Sequence, residues 1–272
     1  MIRLVLSDVD GTLADPLTDD VSERVCRAFR QVDAAGLSIG FATGRTTASL
    51  KPIIDQIGLR EAWAICSNGA VLARYSEDID GGFNVIRQTP FEPAEAVRRL
   101  MSRVPDAIVA AWNGNEYLTT QPFPPGELIA ERVVSLADVV ARPTTKAVLR
   151  WLNRTRGEVH AQTANLDLPE GVDAILSKFT AWMDLLPWGI SKAAAAGELV
   201  QWIGIEQGEV LAIGDDYNDI DFLRWAGRGV AMGGSPPAVL DAADEVTASI
   251  EDDGAAVVLE GLVSSPDVSH GG

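Results

Sequence analysis

The sequence predicts an α/β fold in which a doubly wound parallel sheet is interrupted by an inserted α+β unit. Three observations predict it. Short apolar runs alternate with helical periodicity near both ends of the chain. The texture changes between those ends, where joints rich in glycine flank a stretch of different charge balance. Polar residues able to do chemistry cluster directly after the predicted strands. At 272 residues the chain suits one or two domains of about 150 residues each. A composition of 47% hydrophobic and 22% charged residues is ordinary for a packed protein.

Residues 2–7 form a short apolar run, as a buried parallel strand does. A helix follows. Asp20 with Glu23 three residues on has the form of a capping box, and Val21, Val25, Ala28, Phe29 and Val32 recur at helical spacing. Gly36 ends that helix as its C′ residue. Residues 37–42 read as a second buried strand and 46–57 as a second helix, a succession that calls for right-handed crossovers and a parallel sheet. The pattern resumes with a helix at 191–203, a strand at 209–213, a helix at 220–226, a strand at 229–232 and a last helix at 253–262. Residues 264–272 have the composition of a tail. Between these halves, Gly81-Gly82 and Pro187-Trp188-Gly189 mark joints. The insert carries strand-like segments at 107–112 and 146–152 and helices near 93–103 and 125–137. The expected division is therefore a core of residues 1–82 and 186–272 with an insert of residues 83–185.

Composition excludes several function classes. With 22 Lys+Arg against 39 Asp+Glu the net charge is −17, which repels phosphate backbones and anionic lipid, so neither nucleic acid nor membrane is an expected partner. The charge is uneven: residues 83–184 hold 11 basic and 12 acidic residues, the remainder 11 and 27. Either the insert faces an anionic ligand that the acidic remainder repels, or the imbalance is accidental. Cys26 and Cys66 have no CxxC spacing and read as small core residues. His160 and His270 are the only histidines, too few for a multi-histidine metal site. The apolar stretch before Asp8 is too short for a signal peptide, and no run approaches the roughly 20 apolar residues of a membrane span. A cytoplasmic protein is expected, of open oligomeric state.

The chemistry sits at strand ends. Asp8-Val9-Asp10-Gly11-Thr12 follows the first strand, Thr43-Gly44-Arg45 the second, and Gly214-Asp215-Asp216-Tyr217-Asn218-Asp219 the strand at 209–213. In an open parallel sheet ligands bind beyond the carboxyl ends of the strands, so these turns converge on one edge. Aspartates converging without histidine suit a hard cation held by oxygen, most simply Mg²⁺. Thr43 and Gly44 at a helix amino terminus suit an anion. A cation beside an anion suggests phosphate. Lysine is scarce, at Lys51, Lys146, Lys178 and Lys192. Lys192 opens an alanine-rich helix, where it opposes the helix dipole. Each element alone is weak, and their combination is not.

Asp8-x-Asp10-Gly11-Thr12-Leu13, Thr43-Gly44-Arg45, Lys192 and Gly214-Asp215-Asp216-x-Asn218-Asp219 resemble the four motifs of the haloacid dehalogenase superfamily of phosphohydrolases. Ser67-Asn68-Gly69-Ala70 and Ala226-Gly227-x-Gly229-Val230-Ala231-Met232 add to a similarity with its Cof-like sugar-phosphatase subgroup. The resemblance covers about two thirds of the chain and implies a Rossmann-like core, with the insert matching an α/β (type IIB) cap in position and size and acting as a lid. It implies an Mg²⁺-dependent phosphatase acting on a small phosphorylated metabolite. Asp8 would be the nucleophile and Asp10 the general acid and base. Asp8, the Asp10 carbonyl and Asp215 would hold the metal, with Asp219 supporting directly or through water. Thr43, Gly44 and Lys192 would hold the phosphoryl oxygens, and Asn218 would orient Lys192 or touch substrate. Asn68, and cap arginines such as Arg150, are candidates for the leaving group, and Arg45 is either a substrate contact or a helix-face salt bridge. Asp216 stands where glycine is frequent, and Gly233-Gly234-Ser235 replaces a usual Asn-Ala pair. Alternatives are a phosphomutase and a non-catalytic metabolite binder on the same scaffold. A signalling receiver domain fails on length and on the order of its aspartates.

Overall fold

The first apolar run folds as β1 (Leu4–Ser7), buried along its whole length. In the computed structural model, which describes residues 1–16, 18–177 and 180–264, it is followed by α1 (Glu23–Ala34), β2 (Ser38–Ala42), α2 (Thr47–Ile57), β3 (Glu61–Cys66), β4 (Val71–Ser76) and β5 (Phe83–Gln88). Next come α3 (Ala94–Arg103), β6 (Ile108–Trp112), β7 (Tyr117–Thr119), β8 (Glu131–Val133), α4 (Leu136–Val139), β9 (Ala147–Arg150), α5 (Arg156–Thr163), β10 (Val172–Leu176) and β11 (Trp182–Pro187). The chain then continues through α6 (Lys192–Ile203), β12 (Val210–Gly214), α7 (Ile220–Trp225), β13 (Arg228–Ala231), α8 (Pro237–Leu240), β14 (Glu245–Val246) and α9 (Gly254–Ser264). The tail expected at 264–272, with His270, lies outside the described residues from 265 onward, as does Lys178.

The chain divides into two compact units, Met1–Arg87 with everything from Ser191 onward, and Gln88–Ile190. In the first, eight strands pair in the order β14-β13-β12-β1-β2-β3-β4-β5. From β14 to β3 every pair is parallel; β4 then turns back antiparallel to β3. The chain steps outward one way from β1 through β2 and β3, and the other way through β12, β13 and β14. Strand order therefore reverses between β1 and β12, the switch point at which a doubly wound sheet opens a crevice. Side chains alternate along each strand with period two. Val5, Leu211 and Ile213 face α1, α2 and α9, while Leu4, Leu6, Val210 and Ala212 face α6, α7 and α8. Two apolar layers result, one on each face of the sheet.

The second unit has its own sheet, in the order β10-β11-β9-β6-β7-β8, antiparallel except for the β7–β8 pair. Val109, Ala111, Leu149, Met183 and Leu185 pack on one face with Val97 and Leu100 of α3 and Val159 of α5. Trp151, fully buried, donates its indole N–H to the Val104 carbonyl at 3.0 Å.

Four expectations are corrected. The cap of α1 is Ser22, whose side chain accepts from the Val25 amide, rather than the Asp20–Glu23 box. Asp20 lies two residues before that cap, too far for its side chain to serve the first turn. The helix expected at 125–137 reduces to α4, capped by Ser135, because residues 131–133 extend to pair with β7. Pairing overrides a weak local preference there. Gly81-Gly82 is no joint between units. Both glycines, at φ +74° and +83°, form the turn that joins β4 to β5, and both strands belong to the eight-stranded sheet. The unit boundaries accordingly fall after Arg87 and Ile190 instead of after residues 82 and 185.

Candidate active site

Strands β1 and β12 lie side by side with Ser7 opposite Ile213, so the turns that follow them start level. The Asp8 amide still donates to the Ile213 carbonyl at 2.8 Å, which anchors Asp8 at the strand end. Beyond it the chain turns through Gly11, at φ +86°. A Cβ at that position would come 2.6 Å from a carboxylate oxygen of Asp215, so glycine is what lets Asp215 close against the first turn. The Thr12 hydroxyl donates to Asp215 Oδ1 at 3.1 Å. Gly214 plays the same part for Asp219, whose Cγ would lie 2.6 Å from an added Cβ.

Asp8, Asp215 and Asp219 are all buried, and each places a carboxylate oxygen within 4.8 Å of the others. Lys192, 1% exposed, is the first residue of α6 behind its Ser191 cap. Its ammonium donates to Asp8 Oδ1 at 2.6 Å and Asp219 Oδ1 at 2.7 Å. The other Asp219 oxygen accepts from the Asp215 and Asp216 amides, both at 3.0 Å. Asp219 thus fixes both the Lys192 ammonium and the turn that carries Asp215. Burial pushes the Asp8 carboxyl well above its ordinary range; Lys192 opposes the shift, and the charges of Asp219, Asp215 and Asp10 add to it. Burial alone would lower the Lys192 ammonium, but Asp219 and Asp8 hold it above its usual value. Three carboxylates close to one another, two of them paired with one ammonium, are an all-oxygen donor set with negative charge in excess. The residues present fit a hard divalent cation.

The second turn is held by its backbone. Thr43 is buried, its amide donates to the Ile65 carbonyl at 2.8 Å, and its carbonyl accepts from the Asn68 amide at 2.9 Å. Its hydroxyl accepts from the Arg45 amide at 3.1 Å. An added Cβ on Gly44 would make only ordinary contact with the Asn68 side chain, at 3.5 Å. Ser67 and Asn68 both adopt left-handed backbone, at φ +51° and +54°, where the chain turns between β3 and β4. Asn218 donates its amide to Asn68 Oδ1 at 3.0 Å, which ties the turn at 214–219 to the turn between β3 and β4. The contacts of Asn218 run to Asn68, and its own Oδ1 is buried without a partner.

Arg45 lies on no helix face. Its Nε is 3.1 Å from both carboxylate oxygens of Asp10, its Nη2 is 2.6 Å from Asp10 Oδ1 and 2.5 Å from Asp19 Oδ1, and its Nη1 donates to the Ser49 carbonyl at 3.2 Å. The Asp10 carboxylate therefore sits on Arg45 and outside the group formed by Asp8, Asp215 and Asp219. Burial works against the Arg45 charge, but Asp10 and Asp19 hold the guanidinium firmly protonated. Asp216 caps the short turn at 217–219, accepting from the Tyr217 amide at 2.7 Å. Asp19 is absent from the sequence reading; it lies outside the motifs, and nothing local to residues 15–20 signals its partner. Arg150 belongs to the other unit, where it is paired with Glu127 at 2.9 Å.

Residues 5–111 and 142–259 match the model of the haloacid dehalogenase-like hydrolase family. The 5-amino-6-(5-phospho-D-ribitylamino)uracil phosphatase YcsE of Bacillus subtilis (strain 168) is 27% identical over 274 residues, covering 95% of this chain and 94% of its own. The HMP-PP phosphatase of Cronobacter sakazakii is 27% identical over 260 residues, covering 88% of this chain and 87% of its own. Among solved structures, a phosphatase of the same superfamily from Bacteroides thetaiotaomicron superposes with a TM-score of 0.74 at 27% identity, covering 96% of this chain and 95% of that one. A subclass IIB sugar phosphatase shares the fold, with a TM-score of 0.75 at 23% identity over 96% of this chain and 98% of that one. Matched along most of its length and carrying the aspartates and lysine of the four motifs at one sheet edge, the chain belongs to the haloacid dehalogenase-like hydrolases, as a Cof-like phosphatase.

Proposed function

We propose that the chain is an Mg²⁺-dependent phosphatase that hydrolyses a small phosphorylated metabolite, a sugar phosphate, by way of an aspartyl-phosphate on Asp8. One observation carries the reading: the buried ammonium of Lys192 lies 2.6 Å from Asp8, at the edge where Asp215 and Asp219 also converge. A carboxylate in that position is aimed and cannot simply be solvated. The names of the relatives, phosphatases of small phosphorylated compounds, support the substrate class.

Mg²⁺ held by the Asp8 and Asp215 carboxylates and the Asp10 carbonyl would neutralise charge between a carboxylate nucleophile and a phosphate dianion. Asp8 attacks phosphorus in line and takes the phosphoryl group. Asp10 protonates the departing oxygen and then takes a proton from the water that cleaves the acyl phosphate. Lys192, Thr43 and the Gly44 amide hold the non-bridging oxygens; losing one such contact costs about 3 kcal/mol of transition-state stabilisation. Asp219 keeps Lys192 in place through its 2.7 Å ion pair.

The test is phosphate release from a panel of phosphorylated sugars and cofactors with and without Mg²⁺, with Asp8→Asn alongside. Turnover that requires Mg²⁺ and disappears in the variant is expected. Near-normal turnover by Asp8→Asn overturns the nucleophile, and isomerisation of a hexose phosphate without phosphate release overturns hydrolysis in favour of a mutase.

A further inference from the structure

Arg45 has the position of a substrate contact and the hydrogen bonds of something else. Of its five N–H groups, Nε and Nη2 are committed to Asp10 and Asp19, and Nη1 reaches the Ser49 carbonyl at 3.2 Å. The side chain is 11% exposed, against 41% and 43% for the two carboxylates. A guanidinium so enclosed has little left to offer a ligand, but its planar fork fixes the orientation of a carboxylate that it grips through both oxygens.

Asp19 fixes the guanidinium in turn. Its backbone stands in the left-handed region at φ +62°, which aspartate tolerates better than most residues. Gln56 of α2 holds the segment that follows through both atoms of its amide. Its Nε2 donates to the Asp19 carbonyl at 3.0 Å, and its Oε1 accepts from the Val21 amide at 3.2 Å. The Asp19 amide also donates to the Asp15 carbonyl at 2.9 Å. A loop held this way has a reason to place one carboxylate 2.5 Å from Arg45.

We propose that Arg45 and Asp19 are a pair of positioning residues that hold the Asp10 carboxyl group, and that Arg45 does not bind substrate. The proposal rests on the reading of Asp10 as proton donor to the leaving group. Asp19 and Gln56 fix Arg45, Arg45 fixes Asp10, and Asp10 meets the departing oxygen. Displacing a catalytic group by about 1 Å can cost a hundredfold, so the loss should appear where Asp10 acts and nowhere else.

The test compares kcat/KM for two substrates, since that quantity covers the steps up to departure of the leaving group. A sugar phosphate that the wild type hydrolyses needs a proton on its alkoxide. p-Nitrophenyl phosphate releases a stabilised anion and needs the proton far less. Asp19→Ala and Arg45→Ala are expected to lower kcat/KM on the sugar phosphate by about tenfold or more, with the drop in kcat and not in KM. The loss on p-nitrophenyl phosphate should be at least threefold smaller. Asp10→Asn sets the reference pattern. Asp19→Asn, which tolerates the same left-handed backbone, is the variant expected to stay nearest the wild-type thermal midpoint and should repeat the pattern of Asp19→Ala, and Arg45→Lys supports Arg45→Ala if the latter unfolds. Equal losses on both substrates, no loss, or a rise in KM alone would overturn the proposal. Failure of the catalytic reading itself is separately visible, as turnover by Asp8→Asn or an Asp10→Asn variant indifferent to the leaving group.

Discussion

Lys192 holds the site together as an ion and as an anchor. Its ammonium bridges Asp8 and Asp219, both of which would be left as buried charges by Lys192→Ala. Removing one partner of a buried ion pair typically costs about 3–5 kcal/mol, so this variant should unfold at lower temperature and lose about two to three orders of magnitude in turnover. Parallel melting curves and phosphate release check both. Asp8 behaves oppositely. Its carboxyl is raised by burial and by the neighbouring aspartates, so over the interval from the ordinary carboxylate value up to the raised one the native protein binds more protons than the unfolded chain. Its contribution to stability is present at low pH and lost as pH rises through that interval. Without Mg²⁺, Asp8→Asn should therefore melt above the wild type near neutral pH, by about 2–4 °C for each kcal/mol of relieved strain. Adding Mg²⁺ should narrow the gap by stabilising the wild type more. A lower midpoint for the variant in metal-free buffer contradicts the account.

At the scale of elements, the strand-end turns work because glycine lets carboxylates approach the backbone. Gly214→Ala would drive a methyl group to 2.6 Å from Asp219 Cγ, displacing the carboxylate that holds Lys192 and the 215–216 amides. The expected cost is about 1–3 kcal/mol of overpacking, together with at least a tenfold fall in kcat/KM. Gly157→Ala, on an exposed position of α5 with nothing within 4 Å of the new methyl, should be neutral or stabilising by about 0.5–1 kcal/mol. The pair separates close approach from mere helix propensity. Two helices next to the site have side-chain caps of the ordinary kind. Thr46 opens α2 and Ser191 opens α6, each accepting from the amide three residues on. Ser191→Ala should cost about 1 kcal/mol, read as a shift in denaturant midpoint at constant slope.

At the scale of the molecule, the unit of residues 88–190 has an apolar core of its own, with Trp151, Val109, Leu149, Leu185 and Val159 all buried. A separate core is the condition for independent folding. The isolated segment 88–190 should therefore show mixed helical and sheet circular dichroism and a cooperative thermal transition. A featureless spectrum would mean that its stability is borrowed from the rest of the chain. No helix among the described residues is long and apolar enough to cross a membrane.

What the sequence determined by itself was whatever depends on local spacing. Apolar runs followed by helical periodicity specified β1, α1, β2 and α2 in order, and with them a parallel sheet and its functional edge. The turns bearing Asp8, Thr43 and Asp215 were legible for the same reason, since each follows a short buried run. Spacing could not show β4 and β5 joining the sheet across Gly81-Gly82, nor β8 extending where a helix was expected, because pairing partners are chosen by the fold and not by the segment. The same holds within the site. Lys192 meets Asp8 from 184 positions away, and Asp19 meets Arg45 from 26. Sequence named Asp219 as metal support and Arg45 as either a substrate contact or a helix-face salt bridge. Only the tertiary structure decided that Asp219 already spends both oxygens on Lys192 and two amides, and that Arg45 grips Asp10. Charge type is written in the residues, but which charges share a buried, poorly solvated space is settled only when the strands are packed, and there electrostatics is strongest.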